Sequence, residues 1–329
     1  MSEPEAKHRV LVTSWIMEEE GPLIEQMRAA GCEVVMRRRP AFRTEQEMLD
    51  VIVGIDAAIA ASDVYSAAVM DAAPGLKVIS RVGVGYDAVD VKAATARKIA
   101  VCTTPGTNHE AVADHAFGLV LALARQIPAH DRFVRSQQWK RLTAADVNGQ
   151  TLGILGLGKI GKGMARRARG FDMRVVAYDP IWDEAFATQH QVERLPLERV
   201  IQEADFLTLH LPASAETRHI LNAERLALLK PTAYVVNTAR GTLVDEAALY
   251  EALKAGRIAG AGLDVFDQEP PWGTMGDKLR DLENVILTPH VAGFSVKANA
   301  GMCRMAVENA LLVLQGKRPL FCVNPEVFG

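Results

Sequence analysis

Cysteine is scarce in this 329-residue chain. Its four residues, Cys32, Cys102, Cys303 and Cys322, are far apart and form no CxxC pair. That argues against a disulfide framework and a metal site, and it fits a reducing cytoplasm. Aromatic residues make up only 6 % while Ala, Val and Leu dominate, which suits helices packed on buried parallel sheets. No excess of one charge exists: the net charge is -3, so neither nucleic acid nor a membrane is expected as the main partner. The opening MSEPEAKHRV lacks the apolar core of a signal peptide. The longest apolar run, Ala111 to Ala124, contains Asp114 and His115. It is too short and too polar to span a bilayer and reads as a buried helix of a soluble protein. There is no short fixed-period repeat and no low-complexity linker.

What is present is a regular alternation. The length suggests two domains, and 49 % hydrophobic with 23 % charged residues is the balance of a globular protein. Short apolar runs at Val10–Thr13, Glu33–Met36, Ala57–Ala60, Val78–Ser80 and Val101–Thr103 alternate with helical patterns. They resume at Leu152–Leu155, Arg174–Tyr178, Phe206–His210, Tyr234–Asn237, Gly260–Leu263 and Val285–Thr288. This predicts two α/β units with doubly wound parallel sheets. Between them, Thr104-Pro105-Gly106 signals a turn, and a helix follows from about His109 to about Arg125. After Pro289, Ser295 to Leu314 reads as one long helix ending at Gly316. It needs a core to pack on, and returning to the first domain is one solution.

Thr151-Leu-Gly-Ile-Leu runs straight into Gly156-Leu-Gly158-Lys159-Ile160-Gly161, and a helix follows to about Arg169. Gly156 permits a tight turn, Gly158 lets the backbone approach a pyrophosphate, and Gly161 lets helix and strand pack closely. The phosphates would sit on the helix N-terminus. A GxGxxG alone is a weak signal. Here a second strand, Arg174–Tyr178, follows and ends in Asp179, 18 residues beyond Gly161. That carboxylate can accept ribose hydroxyls and repel a 2′-phosphate, so NAD is the expected cofactor. The simpler reading of Asp179 is a strand-end residue starting the Asp179-Pro180 turn.

Three later loops each end a strand with a candidate polar residue. In Tyr234-Val-Val-Asn-Thr-Ala-Arg240-Gly241, an Arg can grip a substrate carboxylate bidentately and polarise the adjacent carbonyl. It can equally pair at the surface with Asp245 or Glu246. The second loop is Gly262-Leu-Asp264-Val-Phe-Asp-Gln-Glu269-Pro270-Pro271 and the third Leu287-Thr-Pro-His290-Val-Ala-Gly293. Histidine, with an ordinary pKa of about 6.5, can exchange a proton near neutrality, and a neighbouring carboxylate would orient it. Taken alone, such a His is more often a packing residue and such a Glu a solvated loop acid.

From Asn148 to about Gly293 the chain resembles the D-isomer-specific 2-hydroxyacid dehydrogenases, with motifs closest to the D-3-phosphoglycerate dehydrogenases. The segments that carry this are NGQTLGILGLGKIGKGMA, VVNTARGTLVDEAAL, GLDVFDQEPP and TPHVAG. Val78-Ile-Ser-Arg81-Val-Gly83-Val84-Gly85-Tyr-Asp87 matches more weakly. The resemblance implies a Rossmann NAD-binding domain at 104–293. It also implies a flavodoxin-like substrate domain at 1–103 completed by 294–329, with hinges near Thr103 and Phe294 and closure over the substrate. It implies that Arg240 binds and polarises a 2-oxo acid, that His290 is the acid/base and that Glu269 is its partner. Implied cofactor contacts are Val84, Gly156, Gly158, Lys159, Ile160, Gly161, Asp179, His210, Leu211, Pro212, Thr217, Thr238, Ala239, Arg240, Asp264, His290 and Gly293. Asp264 would lie near the nicotinamide carboxamide. Substrate contacts would be Arg81, Gly83, Val84, Gly85, Arg240 and His290. No metal is implied.

Other readings on this scaffold are weighed against these residues. Corepressors similar to the family carry partner-binding segments at their termini, which are short here. Formate enzymes carry Gln where this chain has Glu269, whereas phosphite enzymes keep the trio. As to substrate, similar phosphoglycerate dehydrogenases place an Arg just after the third strand of the first domain. Here that position is Ala61, with Asp63 nearby to repel a phosphate and Arg81 as one remaining basic position. Arg37–Arg39 are a further source of charge. The expectation is a small unphosphorylated 2-oxo acid such as glyoxylate or hydroxypyruvate, with phosphoglycerate as the alternative. The Asn108–Trp139 segment, with its apolar AFGLVLALA and more polar arm, is expected to form a homodimer interface, against the simpler reading of a core helix.

Overall fold

The computed structural model describes residues 7–39 and 43–329; the polar opening residues 1–6 lie outside the described residues. The chain divides into two compact units, residues 1–108 with 295–329, and residues 109–294. The divisions fall after Asn108 and Phe294, where the sequence suggested Thr103 and Gly293.

The first unit holds β1 (His8–Val12), β2 (Cys32–Met36), β3 (Ala57–Ala60), β4 (Val78–Arg81) and β5 (Ala100–Cys102). All pairings are parallel, in the order β2-β1-β3-β4-β5. This is the flavodoxin-like winding, which reverses between β1 and β3. Strands such as Ala57-Ala-Ile-Ala have no exposed residue because helices cover both faces. One cover is the helix Val296–Leu314, begun by a Ser295 side-chain cap on Ala298 N–H. Its Cys303, Ala306, Val307, Ala310 and Leu311 pack with Val10, Ala57 and Val78 of the first sheet. Ser80 Oγ also donates to the Ala306 carbonyl at 2.8 Å.

The second unit holds β6 (Thr151–Leu155), β7 (Arg174–Tyr178), β8 (Val192–Arg194), β9 (Phe206–Leu209), β10 (Tyr234–Asn237), β11 (Gly260–Leu263) and β12 (Val285–Leu287). Their parallel order β12-β11-β10-β9-β6-β7-β8 is the Rossmann winding with one extra strand, reversing between β6 and β9. The helix His109–Ala124 is apolar around most of its surface and buries Ala116, Phe117, Leu119, Val120, Leu123 and Ala124 in this unit's own core. AFGLVLALA is therefore a core helix, which corrects the expectation that it is offered to a partner: a helix apolar all round belongs inside. Among the described residues no helix is long and apolar enough to cross a membrane.

Candidate active site

The second sheet reverses between β6 and β9, and open α/β sheets bind ligands outside the carboxyl ends at such a point. Gly156 follows β6 with φ 100°, and a Cβ there would stand 2.7 Å from the His210 carbonyl carbon after β9. A Cβ on Gly161 would stand 2.0 Å from the Gly156 oxygen. The Cβ position of Gly158 is open, with nothing within 4 Å. Gly158 caps the helix Lys159–Arg169 without a side-chain hydrogen bond, so Lys159 and Ile160 open a helix whose first N–H groups suit an anion. These residues fit a dinucleotide pyrophosphate.

Asp179 stands just past β7. Its Oδ2 accepts Leu157 N–H at 2.6 Å and its Oδ1 accepts Ile181 N–H at 2.7 Å. The carboxylate both forms the strand-end turn and ties β7 to the glycine loop. His210 Nε2 lies 2.8 Å from Thr208 Oγ1, and burial pushes its pKa down to about 3, so the ring is neutral. Leu211 is buried and Pro212 exposed, and Thr217 Oγ1 donates to the Pro212 carbonyl at 2.7 Å, closing that loop.

Beyond β10, Asn237 holds the Thr238–Arg240 turn. Its Nδ2 donates to the Arg240 carbonyl at 2.8 Å and its Oδ1 accepts Ala239 N–H at 3.0 Å. Thr238 is buried, and Arg240 Nη1 donates to the Ala239 carbonyl at 2.7 Å. Gly241 brings this turn against the next loop, since a Cβ there would stand 1.8 Å from the Phe266 carbonyl carbon. In that loop Phe266 N–H donates to Glu269 Oε1 at 3.1 Å, and Asp267 N–H donates to Glu246 Oε1 at 2.8 Å. Burial raises the Glu246 pKa, and the carboxylates of Asp267 and Glu269 add to the rise.

The third loop hangs on Asp264, which is fully buried. Its Oδ1 accepts Thr288 Oγ1 at 2.6 Å and Val291 N–H at 2.9 Å, and its Oδ2 accepts Ala292 N–H at 2.8 Å. His115 Nε2 lies 3.1 Å from Thr288 Oγ1. Both Asp264 oxygens are thus engaged by the backbone that leads to Gly293. The Asp264 backbone carbonyl accepts His290 N–H at 2.8 Å. His290 adopts φ 53°, a conformation that a non-glycine residue holds only when its surroundings over-determine it. The result is a contact of 2.6 Å between His290 Nδ1 and Glu269 Oε2. An ionised Glu269 makes Nδ1 the protonated nitrogen and leaves Nε2 to exchange a proton. Gly241 and Thr288 were not singled out from sequence, because their contacts join segments far apart in the chain, and Glu246, weighed there as a surface partner of Arg240, instead accepts Asp267 N–H.

In the first unit, Arg81 is buried at the end of β4. Its Nε donates to the Gly85 carbonyl at 3.2 Å and its Nη2 to Ser62 Oγ at 3.3 Å. Thr104 N–H donates to the Gly83 carbonyl at 2.9 Å. Both bonds orient the Gly83–Gly85 turn, which leaves Val84 exposed. Ala61 N–H donates to Thr13 Oγ1 at 3.1 Å. Asp63 is not a repelling surface charge as expected: it is fully buried, accepts Arg43 N–H at 2.9 Å and pairs with the Arg43 guanidinium at 3.6 Å. Arg39 pairs with Glu47 and Arg38 Nη1 donates to the Met17 carbonyl.

A Rossmann sheet with a glycine turn, an acid just past its second strand and a His–Glu pair fits a nicotinamide-nucleotide-dependent oxidoreductase. Residues 117–292 match the family model described as "D-isomer specific 2-hydroxyacid dehydrogenase, NAD binding domain". A glyoxylate reductase of Korarchaeum cryptofilum is 43 % identical over 98 % of this chain and 97 % of its own. A solved protein of Thermus thermophilus superposes with TM-score 0.85 at 40 % identity, covering 96 % of this chain and 99 % of its own. The D-lactate dehydrogenase of Aquifex aeolicus, solved with NAD and lactic acid, gives TM-score 0.83 at 26 % identity over 96 % and 99 % of the two chains. The chain belongs to the D-isomer-specific 2-hydroxyacid dehydrogenase family, as an NAD-dependent dehydrogenase acting on the CH–OH group.

Proposed function

We propose that the protein reduces a small unphosphorylated 2-oxo acid, glyoxylate or hydroxypyruvate, to the corresponding 2-hydroxy acid. The observation that carries the chemistry is the 2.6 Å contact between His290 Nδ1 and Glu269 Oε2. Bound NADH supplies the hydride to C2. His290 gives its Nε2 proton to the oxygen that becomes the hydroxyl, and Glu269 stabilises the imidazolium beforehand. Arg240 binds the substrate carboxylate and polarises the neighbouring carbonyl. Asp179 accepts the ribose hydroxyls and disfavours a 2′-phosphate by like charge.

The substrate assignment rests on two supports. The Korarchaeum cryptofilum relative is a glyoxylate reductase. The residue after β3 is Ala61, whose methyl group offers a phosphate no charge or donor, and a dianion usually needs several charge-assisted bonds. We further propose that two copies assemble through the helix Ile127–Arg135 and the arm after it. The functional test compares kcat/KM with NADH for glyoxylate, hydroxypyruvate and 3-phosphohydroxypyruvate at equal ionic strength. The two unphosphorylated acids should win. A preference for the phosphorylated compound above about tenfold, or 1.4 kcal/mol, would restore phosphoglycerate as substrate.

A further inference from the structure

Cys102 ends β5, and Cys322 lies in the segment after the helix Val296–Leu314. The two residues face one another across an isolated antiparallel bridge. Thr103 N–H donates to the Phe321 carbonyl at 3.1 Å and Val323 N–H to the Val101 carbonyl at 2.7 Å. Those bonds flank the pair, so Cys102 and Cys322 form a non-hydrogen-bonded antiparallel pair. Such pairs hold their Cα atoms about 4.5 Å apart with side chains on one face. That separation lies within the roughly 4.4–6.8 Å spanned by disulfide-linked residues. Asn324 fixes the register. It is buried, its Oδ1 accepts Val101 N–H at 2.8 Å, and its Nδ2 donates to the Ile99 carbonyl at 2.9 Å and to Thr95 Oγ1 at 3.0 Å.

The two thiols differ in a useful way. Cys102 is fully buried, whereas Cys322 is partly exposed. A hydrogen bond from Cys102, with backbone N–H groups and the charge of Arg318, draws the Cys322 thiol below its ordinary range, the direction that favours a thiolate. Burial holds Cys303 up at about 11 and raises Cys32 as well.

From this pairing of an accessible thiol with a buried one in cross-strand register, we infer that Cys102 and Cys322 form a reversible redox site, oxidised by hydrogen peroxide to a disulfide. The Cys322 thiolate attacks the peroxide O–O bond, which breaks; with a proton the leaving oxygen departs as water, and Cys322 becomes a sulfenic acid. The Cys102 sulfur then attacks the Cys322 sulfur. The S–S bond forms, the S–O bond breaks, and the sulfenic oxygen leaves as water with the Cys102 proton. Two thiols lose two electrons and the peroxide gains them. The product closes a very long loop, and such closures stabilise most in the chain-entropy model.

The test treats the purified full chain with hydrogen peroxide, blocks remaining thiols with an alkylating agent and maps peptides without reduction. The Cys102–Cys322 link should form before any other change, raise the thermal midpoint by several degrees and reverse with dithiothreitol. Cys102→Ala should leave Cys322 as a sulfenic acid that a 1,3-diketone traps, and Cys322→Ser should abolish both products. A chain in which Cys102 stays alkylatable while Cys322 proceeds to sulfinic acid would overturn the inference. So would first oxidation at Cys32 or Cys303, or four thiols that survive the peroxide.

Discussion

His290 is held twice, by its backbone on the Asp264 carbonyl and by its ring on Glu269. The ring can therefore be removed without disturbing the loop that carries it. His290→Ala should lower kcat at least about 10²-fold, the low end for general acid–base catalysis, while NADH affinity and the thermal midpoint change little. Near-normal turnover would take the proton from His290 and give it to another group. His210 behaves in the opposite sense, as a structural ring whose neutral form is the folded one. Its pKa falls from 6.5 to about 3 on folding. Its contribution to stability is complete above pH 6.5 and is lost as pH falls from there toward 3, because the unfolded chain takes up the proton first. The melting point of the parent should therefore drop more steeply than that of His210→Gln between about pH 6.5 and about pH 4.5. Parallel slopes would mean that His210 is solvated. The sequence marked His290 by its place after a strand and His210 only through the family resemblance. It could not separate their tasks, since the difference lies in the partner of each ring: Glu269 for one, Thr208 and burial for the other.

The loops that carry Arg240 and Glu269 are joined as elements, with Gly241 as the join. Its missing Cβ would stand 1.8 Å from the Phe266 carbonyl carbon, and carbon atoms pack at about 3.5–4.0 Å. In Gly241→Ala the turn bearing Arg240 and the loop bearing Glu269 must part by more than about 1 Å. Misplacement of that size can cost about 10² in rate, and overpacking typically costs about 1–3 kcal/mol. The variant should lose both kcat and melting temperature, unlike His290→Ala, which loses only the first; a stable, active Gly241→Ala would show that the two loops are not mechanically linked. Apolar runs and the glycine turn made eleven of the twelve strands among the described residues legible in the sequence. The missed β8 is Val-Glu-Arg at a sheet edge with two exposed residues, too short and too polar to signal. Asp63 misled because the fold pairs it with Arg43, twenty residues away, and no local pattern announces a buried ion pair.

At the scale of the whole molecule, the question is which surface a second copy would cover. The helix His109–Ala124 is satisfied inside its own unit, so the apolar character of AFGLVLALA is already explained. The helix that follows, Ile127–Arg135, is different: it buries none of its residues, although apolar and charged positions fall on separate faces. Ile127 is 54 % exposed, Val134 61 % and Trp139, in the arm beyond, 80 %. The arm is nevertheless ordered against this helix. Leu142 N–H donates to His130 Nε2 at 3.1 Å, Gln126 Nε2 donates to the Thr143 carbonyl at 2.8 Å, and Lys140 lies 5.0 Å from the Phe133 ring centre. A shaped apolar surface that finds no core in its own chain is what an isologous interface requires, because a two-fold axis lets the same surface cover itself. Light scattering at micromolar concentration should therefore give twice the chain mass. The double variant Ile127→Asp, Val134→Asp should give the single mass, because two charges on each copy would have to be buried unpaired. NADH binding should survive in that variant, since the glycine turn and Asp179 do not rest on this helix. A parent that scatters as a monomer, or a double variant that keeps the parent's mass, would remove this helix from any interface.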